Sequence, residues 1–392
     1  MKEAVIVTAV RTPVGKAFKG ALRNVRPDDL GGHVVREAIS RTRGVTDSDI
    51  DDVIIGCAMP EGEQGLNIGR IVAMRAGLPD SVPGLTVNRF CASGLQAIAY
   101  AAQQIQSGAA DTIAAGGAES MSLIPMAGAR PLPNPYLVDY RPELYMAMGH
   151  TAEQVAKRYS VSRADQDRFA ESSHRKAAAA IAAGRFRDET VAYMLEERTL
   201  GDDGKLHVRS VKFDTDEGVR SDTNTAALAK LKPSFHPQGS VTAGNASQMS
   251  DGAAAAIVMS REKADELGLR PLAAFRSFGV TGVAPDVMGI GPISAIPKAL
   301  KQAGITIADV DLFEINEAFA AQCLPIIRQL GIDEERVNVN GGAIALGHPL
   351  GCTGAKLTAT LLHEGRRRKS RFGVVSMCIG GGMGAAAVFE FV

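Results

Sequence analysis

The stretch Val87-Asn88-Arg89-Phe90-Cys91-Ala92-Ser93-Gly94 joins a β-like segment, Leu85–Val87, to a helical one. After Cys91 the apolar residues follow the spacing of a helix with one buried face: Leu95, Ile98, Ala99, Ala102 and Ile105. Cys91 is therefore expected at or near a helix N-terminus, where free N–H groups and the helix dipole favour a thiolate. Such a cysteine is a candidate nucleophile, although free cysteines also serve as small buried side chains.

The composition excludes several classes of protein. Lys+Arg and Asp+Glu both number 43 in 392 residues, so no net charge attracts nucleic acid or an anionic membrane. Five cysteines without a C-x-x-C pair argue against a disulfide framework, a zinc site or a redox protein. The apolar start of the chain is too short for a signal peptide, and no run reaches the ~18 apolar residues of a membrane span. A reducing cytoplasm is the expected setting.

Alternating strand and helix patterns predict an α/β fold with parallel sheet. The predicted strands are 4–8, 51–56, 111–116 and 253–259, and the predicted helices are 28–41, 91–108, 261–267 and one that ends near 77. The alternation stops between residues 121 and 248, where a helix is predicted at 164–183 and loops at 202–204 and 232–239. We interpret this part as an insertion that carries a binding surface.

The second half of the chain repeats the organisation of the first. Asp49–Ile55 is echoed by Ala308–Glu314, and Val87-Asn88 by Val337-Asn338. The helix at 91–108 is likewise echoed by 348–365, and the strand at 111–116 by 372–376. An internal duplication accounts for these matches. It predicts that Cys91 and His348, the first residues of equivalent helices, lie close together.

His348 lies in a glycine-rich turn just before a helix whose first turn holds Pro349. Glycines there allow unusual backbone angles and close approach by a substrate. A histidine in this setting is a candidate base for a nucleophile, and the alternative is a histidine that only caps backbone.

Cys378 ends an apolar strand at the glycine turn that begins at Gly380. Exposed N–H groups in such a turn can stabilise an oxyanion. Phosphate binding is the competing interpretation. We reject it because no G-K-[S/T] follows and the chain ends before an acidic residue ~20 positions on.

Asn316 follows a further predicted strand, Leu312–Ile315. Its amide can hold a water or a carbonyl oxygen, although an asparagine here is more often a helix N-cap. A Cys–His pair suits acyl transfer through a thioester. The second thiol suits proton exchange with a carbon acid whose enolate is stabilised by an oxyanion hole.

These segments, in this order, resemble the thiolase family over essentially the whole chain. Val87–Gly94 resembles its nucleophile segment, Asn316–Phe319 its Asn-Glu-Ala-Phe segment, Asn338–Gly354 its histidine segment and Cys378–Gly384 its second-cysteine segment. The resemblance implies a five-layered αβαβα fold of two similar halves. It implies a first half at 1–120 plus 249–270, an inserted loop domain at 121–248 and a second half at 271–392.

The resemblance also implies roles. Cys91 would be the acylated nucleophile, His348 its base, and Cys378 the proton shuttle at the α-carbon of acetyl-CoA. Asn316, through a water, would form one oxyanion hole with His348, and the N–H groups of Cys91 and Gly380 the other. The implied contacts with coenzyme A and the acyl chain are Arg220, Phe235, Ala243, Ser247, Met148, Met288, Ala318 and Phe319. Coenzyme A would be a substrate, no cofactor or metal is expected, and the protein would be a homodimer or a dimer of dimers.

Asn-Arg-Phe before Cys91 resembles the degradative 3-ketoacyl-CoA branch of the family. Acetoacetyl-CoA-specific biosynthetic members tend to have a histidine where this chain has Ala147, so the sequence predicts room for longer acyl chains. The biosynthetic type remains an alternative. So do a ketoacyl-synthase-like condensing enzyme, which the second thiol disfavours, and a non-catalytic acyl-CoA or lipid-binding relative.

Overall fold

A computed structural model of the chain describes residues 2–200 and 204–392. The strands are β1 Ala4–Arg11, β2 Gly15–Lys16, β3 Asp52–Gly56, β4 Gly84–Val87, β5 Thr112–Ser120, β6 Tyr193–Leu200, β7 Leu206–Phe213, β8 Ser250–Ser260, β9 Ala273–Gly282, β10 Leu312–Ile315, β11 Phe372–Ile379 and β12 Met383–Phe391. The helices are α1 Pro27–Ser40, α2 Ile68–Arg75, α3 Ser93–Ser107, α4 Pro135–Tyr140, α5 Met148–Arg158, α6 Arg163–Ala182, α7 Thr225–Ala229, α8 Arg261–Glu266, α9 Gly291–Ala303, α10 Ala320–Leu330, α11 Ala343–Leu346 and α12 Leu350–Arg368.

The large sheet has the order β10-β11-β12-β9-β1-β8-β5-β3-β4, and β2 pairs with β8. Read outward from the central β1–β9 pair, the two halves repeat the same pairing as far as β3 and β10, and β4 lies beyond β3 as a further parallel strand. β3 and β5 are parallel, as are β10 and β11, and β5–β8 and β11–β12 are antiparallel. Antiparallel pairing of β1 with β9 joins the halves. The sheet is therefore mixed, and the predicted duplication is confirmed.

An aspartate makes the same backbone hydrogen bonds at the equivalent position in each half. Asp51 accepts hydrogen bonds from the N–H groups of Asp111 and Thr112, at 2.7 and 2.9 Å. Asp311 accepts them from Arg371 and Phe372, at 2.6 and 3.1 Å. Each carboxylate therefore anchors the start of the strand that follows the central helix of its own half.

Helices α3 and α12 pack against each other between strands of the two halves. Glycines permit the contact, because a Cβ on Gly354 would lie only 2.3 Å from the backbone nitrogen of Leu95. On the outer faces, α1 and α2 cover the first half, and α9 and α10 cover the second. The predicted five-layered αβαβα arrangement follows from these contacts.

The part between β5 and β8 contains α4 to α7 and one feature that the sequence pattern did not predict. Strands β6 and β7 form an antiparallel hairpin. Leu195 and Phe213 of this hairpin pack with the apolar residues under α1. Helix α6 agrees with the predicted helix, and 232–239 is a loop as expected. Residues 202 and 203 of the other predicted loop lie outside the described residues.

None of the described helices has both the length and the hydropathy to cross a membrane.

Candidate active site

Cys91 lies in a single 3-10 turn, Phe90–Ala92, between β4 and α3. Helix α3 begins at Ser93, so the cysteine lies two residues before the helix and not inside it. Phe90 has φ +45°, a left-handed conformation that is uncommon for a bulky residue and is typical of functional turns. Ser93 and Asn88 hold this turn. The Ser93 hydroxyl accepts from Arg89 N–H and donates to Phe90 C=O, and the Asn88 side chain accepts from Phe90 N–H.

The thiol of Cys91 is buried and faces backbone N–H groups. Burial raises the pKa of Cys91 to about 11, against the lowering effect of hydrogen bonds from the N–H groups of Gly380 and of Cys91 itself. The glycine turn between β11 and β12 thus reaches the turn between β4 and α3. These are the two N–H groups that the resemblance implies for an oxyanion hole, and the structure brings both to the same sulfur.

Cys378 is the penultimate residue of β11 and is fully buried. Burial raises the pKa of its thiol, and a negative charge on the neighbouring Cys91 raises it further. The two thiols are therefore close enough for the charge on one to affect the pKa of the other. In this environment both thiols are protonated at neutral pH, so a base is needed to activate either one.

His348 is held at both ring nitrogens. Its Nδ1 lies 2.6 Å from Thr353 Oγ1, and its Nε2 lies 3.2 Å from Nδ2 of Asn316. Burial, together with the nearby ammonium of Lys356, lowers the pKa of His348 to about 3. The imidazole is therefore neutral near pH 7 and can accept a proton. Leu350, two residues further on, packs in the same apolar cluster as Cys91.

Asn316 directly follows β10, where its N–H donates to the carbonyl of Ser376 in β11. The N-cap interpretation is wrong, because the N-cap of α10 is Phe319. Within the described part of the chain, Oδ1 of Asn316 is buried and has no hydrogen-bond partner. An orphaned acceptor beside a neutral imidazole is typical of a site that binds a polar group.

The candidate acyl-binding residues surround Cys378. Met148, Met288, Ala318 and Phe319 belong to the same apolar cluster as this thiol. The sulfur of Met148 would lie 3.5 Å from a Cβ on Gly380, so the start of α5 closes over the glycine turn. An apolar cluster next to a buried thiol suits an acyl chain.

Two of the candidate coenzyme A contacts join this cluster. The ring of Phe235 stacks edge-to-face on Phe319, with centroids 6.1 Å apart, and Ser247 N–H donates to Ala318 C=O at 2.9 Å. The side chains of Arg220 and Ala243 are exposed at the surface. Phe235 and Ser247 therefore contact residues of the Cys378 cluster, whereas Arg220 and Ala243 face solvent.

Sequence reasoning missed two buried carboxylates that hold the site together. Glu317 accepts hydrogen bonds from Ser173 Oγ, Asn338 Nδ2 and Ile344 N–H, which ties the segment of Asn316 to that of His348. Glu119 accepts from the N–H of Gly351 at 2.8 Å, and so joins the first half to the start of α12. Glu119 is an isolated acidic residue in an apolar stretch, and that was an available signal. Glu317 gave no such signal, because Glu314 stands three positions before it.

No group of three or more His, Cys, Asp or Glu residues in the described ranges could hold a metal ion.

Alkylation of Cys91 in the free protein is expected to become faster with pH between 6 and 9. The thiol pKa of about 11 and the imidazole pKa of about 3 make both groups neutral in this range. The thiolate fraction then rises about tenfold per pH unit. Iodoacetamide rate constants, followed by the mass of the Cys91 peptide, measure this. A rate that is already constant above pH 7 would instead indicate a resting thiolate–imidazolium pair.

The chain matches two family models, "Thiolase, N-terminal domain" over residues 4–262 and "Thiolase, C-terminal domain" over 269–391. It is 61% identical over 390 residues to the 3-ketoacyl-CoA thiolase of Bacillus subtilis (strain 168), with all of both chains covered. It is 49% identical to 3-ketoacyl-CoA thiolase 5, peroxisomal, of Arabidopsis thaliana, covering 99% of this chain and 85% of that one. The crystal structure of the Bacillus anthracis acetyl-CoA acetyltransferase superposes with a TM-score of 0.90 at 42% identity, covering 100% of this chain and 99% of the other. The chain belongs to the thiolase family.

Proposed function

We propose that this chain is a 3-ketoacyl-CoA thiolase, an acyltransferase that cleaves 3-ketoacyl-CoA with coenzyme A to give acetyl-CoA and a shortened acyl-CoA. The observations that carry the proposal are two neighbouring buried thiols, Cys91 and Cys378, with Cys91 at the Gly380 turn, and a neutral imidazole that contacts an amide. Leu350, two residues after His348, packs with Cys91. The 61% identity to a 3-ketoacyl-CoA thiolase over the full chain supports it. Such a reaction belongs to fatty acid β-oxidation.

In the first half-reaction, His348 Nε2 takes the proton of Cys91, and the thiolate attacks the C3 carbonyl of the substrate. The C2–C3 bond then breaks, and its electron pair leaves as the enolate of acetyl-CoA. Cys378 supplies the proton for the α-carbon of that enolate. Its pKa, raised by burial, suits a group that must hold a proton until a carbanion forms.

Before the second half-reaction, the His348 imidazolium gives up the proton that it took from Cys91, and the Cys378 thiolate regains the proton that it gave to the α-carbon. His348 then takes the thiol proton of coenzyme A, and the new thiolate attacks the acyl-Cys91 thioester. The tetrahedral oxyanion forms next to Cys91, where the N–H groups of Cys91 and Gly380 converge. Its collapse releases the shortened acyl-CoA and restores Cys91. Asn316, through a water, and protonated His348 form the other oxyanion hole, which serves the thioester oxygen of acetyl-CoA.

We propose the following further assignments. Arg220, Phe235, Ala243 and Ser247 contact coenzyme A, which is a substrate, and the enzyme needs no cofactor. The loop domain is 121–248, between a first half at 1–120 plus 249–270 and a second half at 271–392. The family-model boundary between residues 262 and 269 supports that division.

The enzyme acts in the cytoplasm as a homodimer or a dimer of dimers.

Chain-length preference tests the 3-ketoacyl branch. Ala147 is the N-cap of α5, directly before Met148, which lies over the Gly380 turn. We expect kcat/KM for 3-ketodecanoyl-CoA to equal or exceed that for acetoacetyl-CoA. Ala147 is exposed. Ala147→His should lower the long-chain value about 10-fold, while Ala147→Ser should not, because only histidine adds a ring beside Met148, which lies over the Gly380 turn.

A clear preference of the natural chain for acetoacetyl-CoA would favour the biosynthetic type of thiolase. Binding of acyl-CoA without any cleavage would favour the non-catalytic relative.

A further inference from the structure

Among the described residues, Nδ1 of the His348 ring has one hydrogen-bond partner, Thr353, which lies in the helix that follows this histidine. Thr353 is the fourth residue of α12, and its side chain points back towards the helix N-terminus, as helical side chains do. Its hydroxyl lies 2.6 Å from His348 Nδ1 and 2.8 Å from the carbonyl oxygen of Pro349. The side chains of both Thr353 and His348 are buried.

The hydroxyl has one proton for these two contacts. A carbonyl oxygen has no proton of its own, so the short contact to Pro349 requires the proton of Thr353. The contact to Nδ1 must then be made by a proton of the ring, with the hydroxyl oxygen as acceptor. At the other end, the amide of Asn316 directs Nδ2 at Nε2, which suits a lone pair there. The tautomer with the proton on Nδ1 therefore satisfies the contacts at both ends of the ring.

The other neighbours of His348 hold its backbone in place and do not determine the tautomer of its ring. The N–H of His348 donates to Ser250 Oγ at 3.1 Å. The Lys356 ammonium donates to the carbonyl of Gly347 at 3.2 Å and is the charged group that lowers the pKa of His348. The other titratable groups of the site include the thiols of Cys91 and Cys378 and the carboxyl groups of Glu119 and Glu317. None of these contacts reaches Nδ1.

We propose that Thr353 is a positioning residue that fixes the tautomer of His348 and thereby keeps the lone pair, and with it the basicity, on Nε2, the nitrogen that faces Asn316. The inference rests on the proposed function insofar as His348 is a base. The same hydroxyl oxygen also accepts from the imidazolium that forms when His348 takes a proton, so the ring keeps its orientation through the proton transfer. Without the hydroxyl, Nδ1–H would be buried without a partner, and the ring could change tautomer or rotate.

Thr353→Val, Thr353→Ser and a matched control, Thr358→Val, test the proposal. Thr358 is also buried in α12 and also donates to a carbonyl four residues earlier, that of Gly354, at 2.8 Å. Its replacement removes the same kind of helix contact without touching the imidazole. Thermal unfolding of the variants shows whether Thr353→Val and Thr358→Val cost similar stability.

The readouts are thiolysis kinetics and the tautomer of His348, seen by nitrogen NMR of [15N]histidine-labelled protein and assigned with His348→Gln. We expect the natural chain and Thr353→Ser to carry the proton on Nδ1. Thr353→Val should lose the preference for a proton on Nδ1. Its kcat should fall about 10- to 100-fold with little change in KM, which is the loss typical of removing a group that orients an imidazole. Thr358→Val should keep both properties.

A natural chain with its proton on Nε2, or a Thr353→Val variant with unchanged tautomer and kcat, would overturn the proposal. The tautomer is measured without substrate. A chain that shows the expected tautomers but no thiolysis would therefore refute the proposed function and leave the role of Thr353 supported.

Discussion

Replacing Cys91 by alanine is expected to lower kcat for 3-ketoacyl-CoA cleavage by about 10⁴-fold or more, the scale of loss when a nucleophile is removed. Alanine keeps the Phe90 turn and the N–H groups that converge there but has no sulfur to form the thioester. Binding of acyl-CoA should persist, because the apolar cluster around Cys378 is unchanged. Steady-state kinetics with a coenzyme A-dependent assay measure the loss.

Cys352→Ala is the matched control for that variant. Cys352 is also a buried free thiol, but it lies on α12 within the core between the two halves. Its removal should cost some stability through a small cavity and leave turnover within a few-fold of the natural chain. Normal turnover by Cys91→Ala would contradict the nucleophile assignment.

Replacing Cys378 by alanine is expected to separate the two chemical steps. Cys91, His348 and Asn316 remain, so 3-ketoacyl-CoA should still acylate Cys91 slowly. The proton donor at the α-carbon is lost, so exchange of the α-protons of acetyl-CoA with deuterated water should fall by about 10³-fold, within the range for general acid–base groups. Mass spectrometry of acetyl-CoA recovered from D₂O measures the exchange.

The Cys378→Ser variant serves as a control, because a hydroxyl of similar size fills the space but holds its proton too tightly for the exchange. We expect this serine variant to fold like the natural chain and to exchange as poorly as the alanine variant. Unchanged exchange in either variant would mean that another group moves the proton.

The internal duplication could be predicted because the same local sequence patterns occur in both halves of the chain. The strand before each central helix and the aspartates that anchor the next strand recur at similar spacing, as Asp51 and Asp311 show. Two copies of one pattern then imply a symmetric arrangement. That is how Cys91 and His348 could be expected at one centre although 257 positions separate them in the numbering.

What the sequence pattern did not reveal depends on long-range contacts. The left-handed Phe90 follows from side chains that fold back on the turn, and no local preference of phenylalanine predicts it. Glu119 and Glu317 are buried because backbone N–H groups from distant segments satisfy them. Pro297 and Pro325 lie inside α9 and α10, where packing against the sheet overrides their local tendency to end a helix.

The hairpin β6–β7 was missed for a different reason. Its strands carry mixed charged and apolar residues, and most side chains of β7 are exposed. The hydrophobic alternation that marks a half-buried strand is therefore weak there. Thr353 was missed because a threonine in the first turns of a helix has no unusual sequence signal. Its importance is visible only in the 2.6 Å contact with the imidazole.

The central claim is that Cys91 carries the acyl group between the two half-reactions. The most direct test is to mix the natural chain with a 3-ketoacyl-CoA in the absence of free coenzyme A, quench with acid and map the adduct by peptide mass. The account predicts one shortened acyl group on the Cys91 peptide and one acetyl-CoA released per site, with no adduct on Cys378. Release of acetyl-CoA without an adduct, or an adduct on a different cysteine, would contradict it.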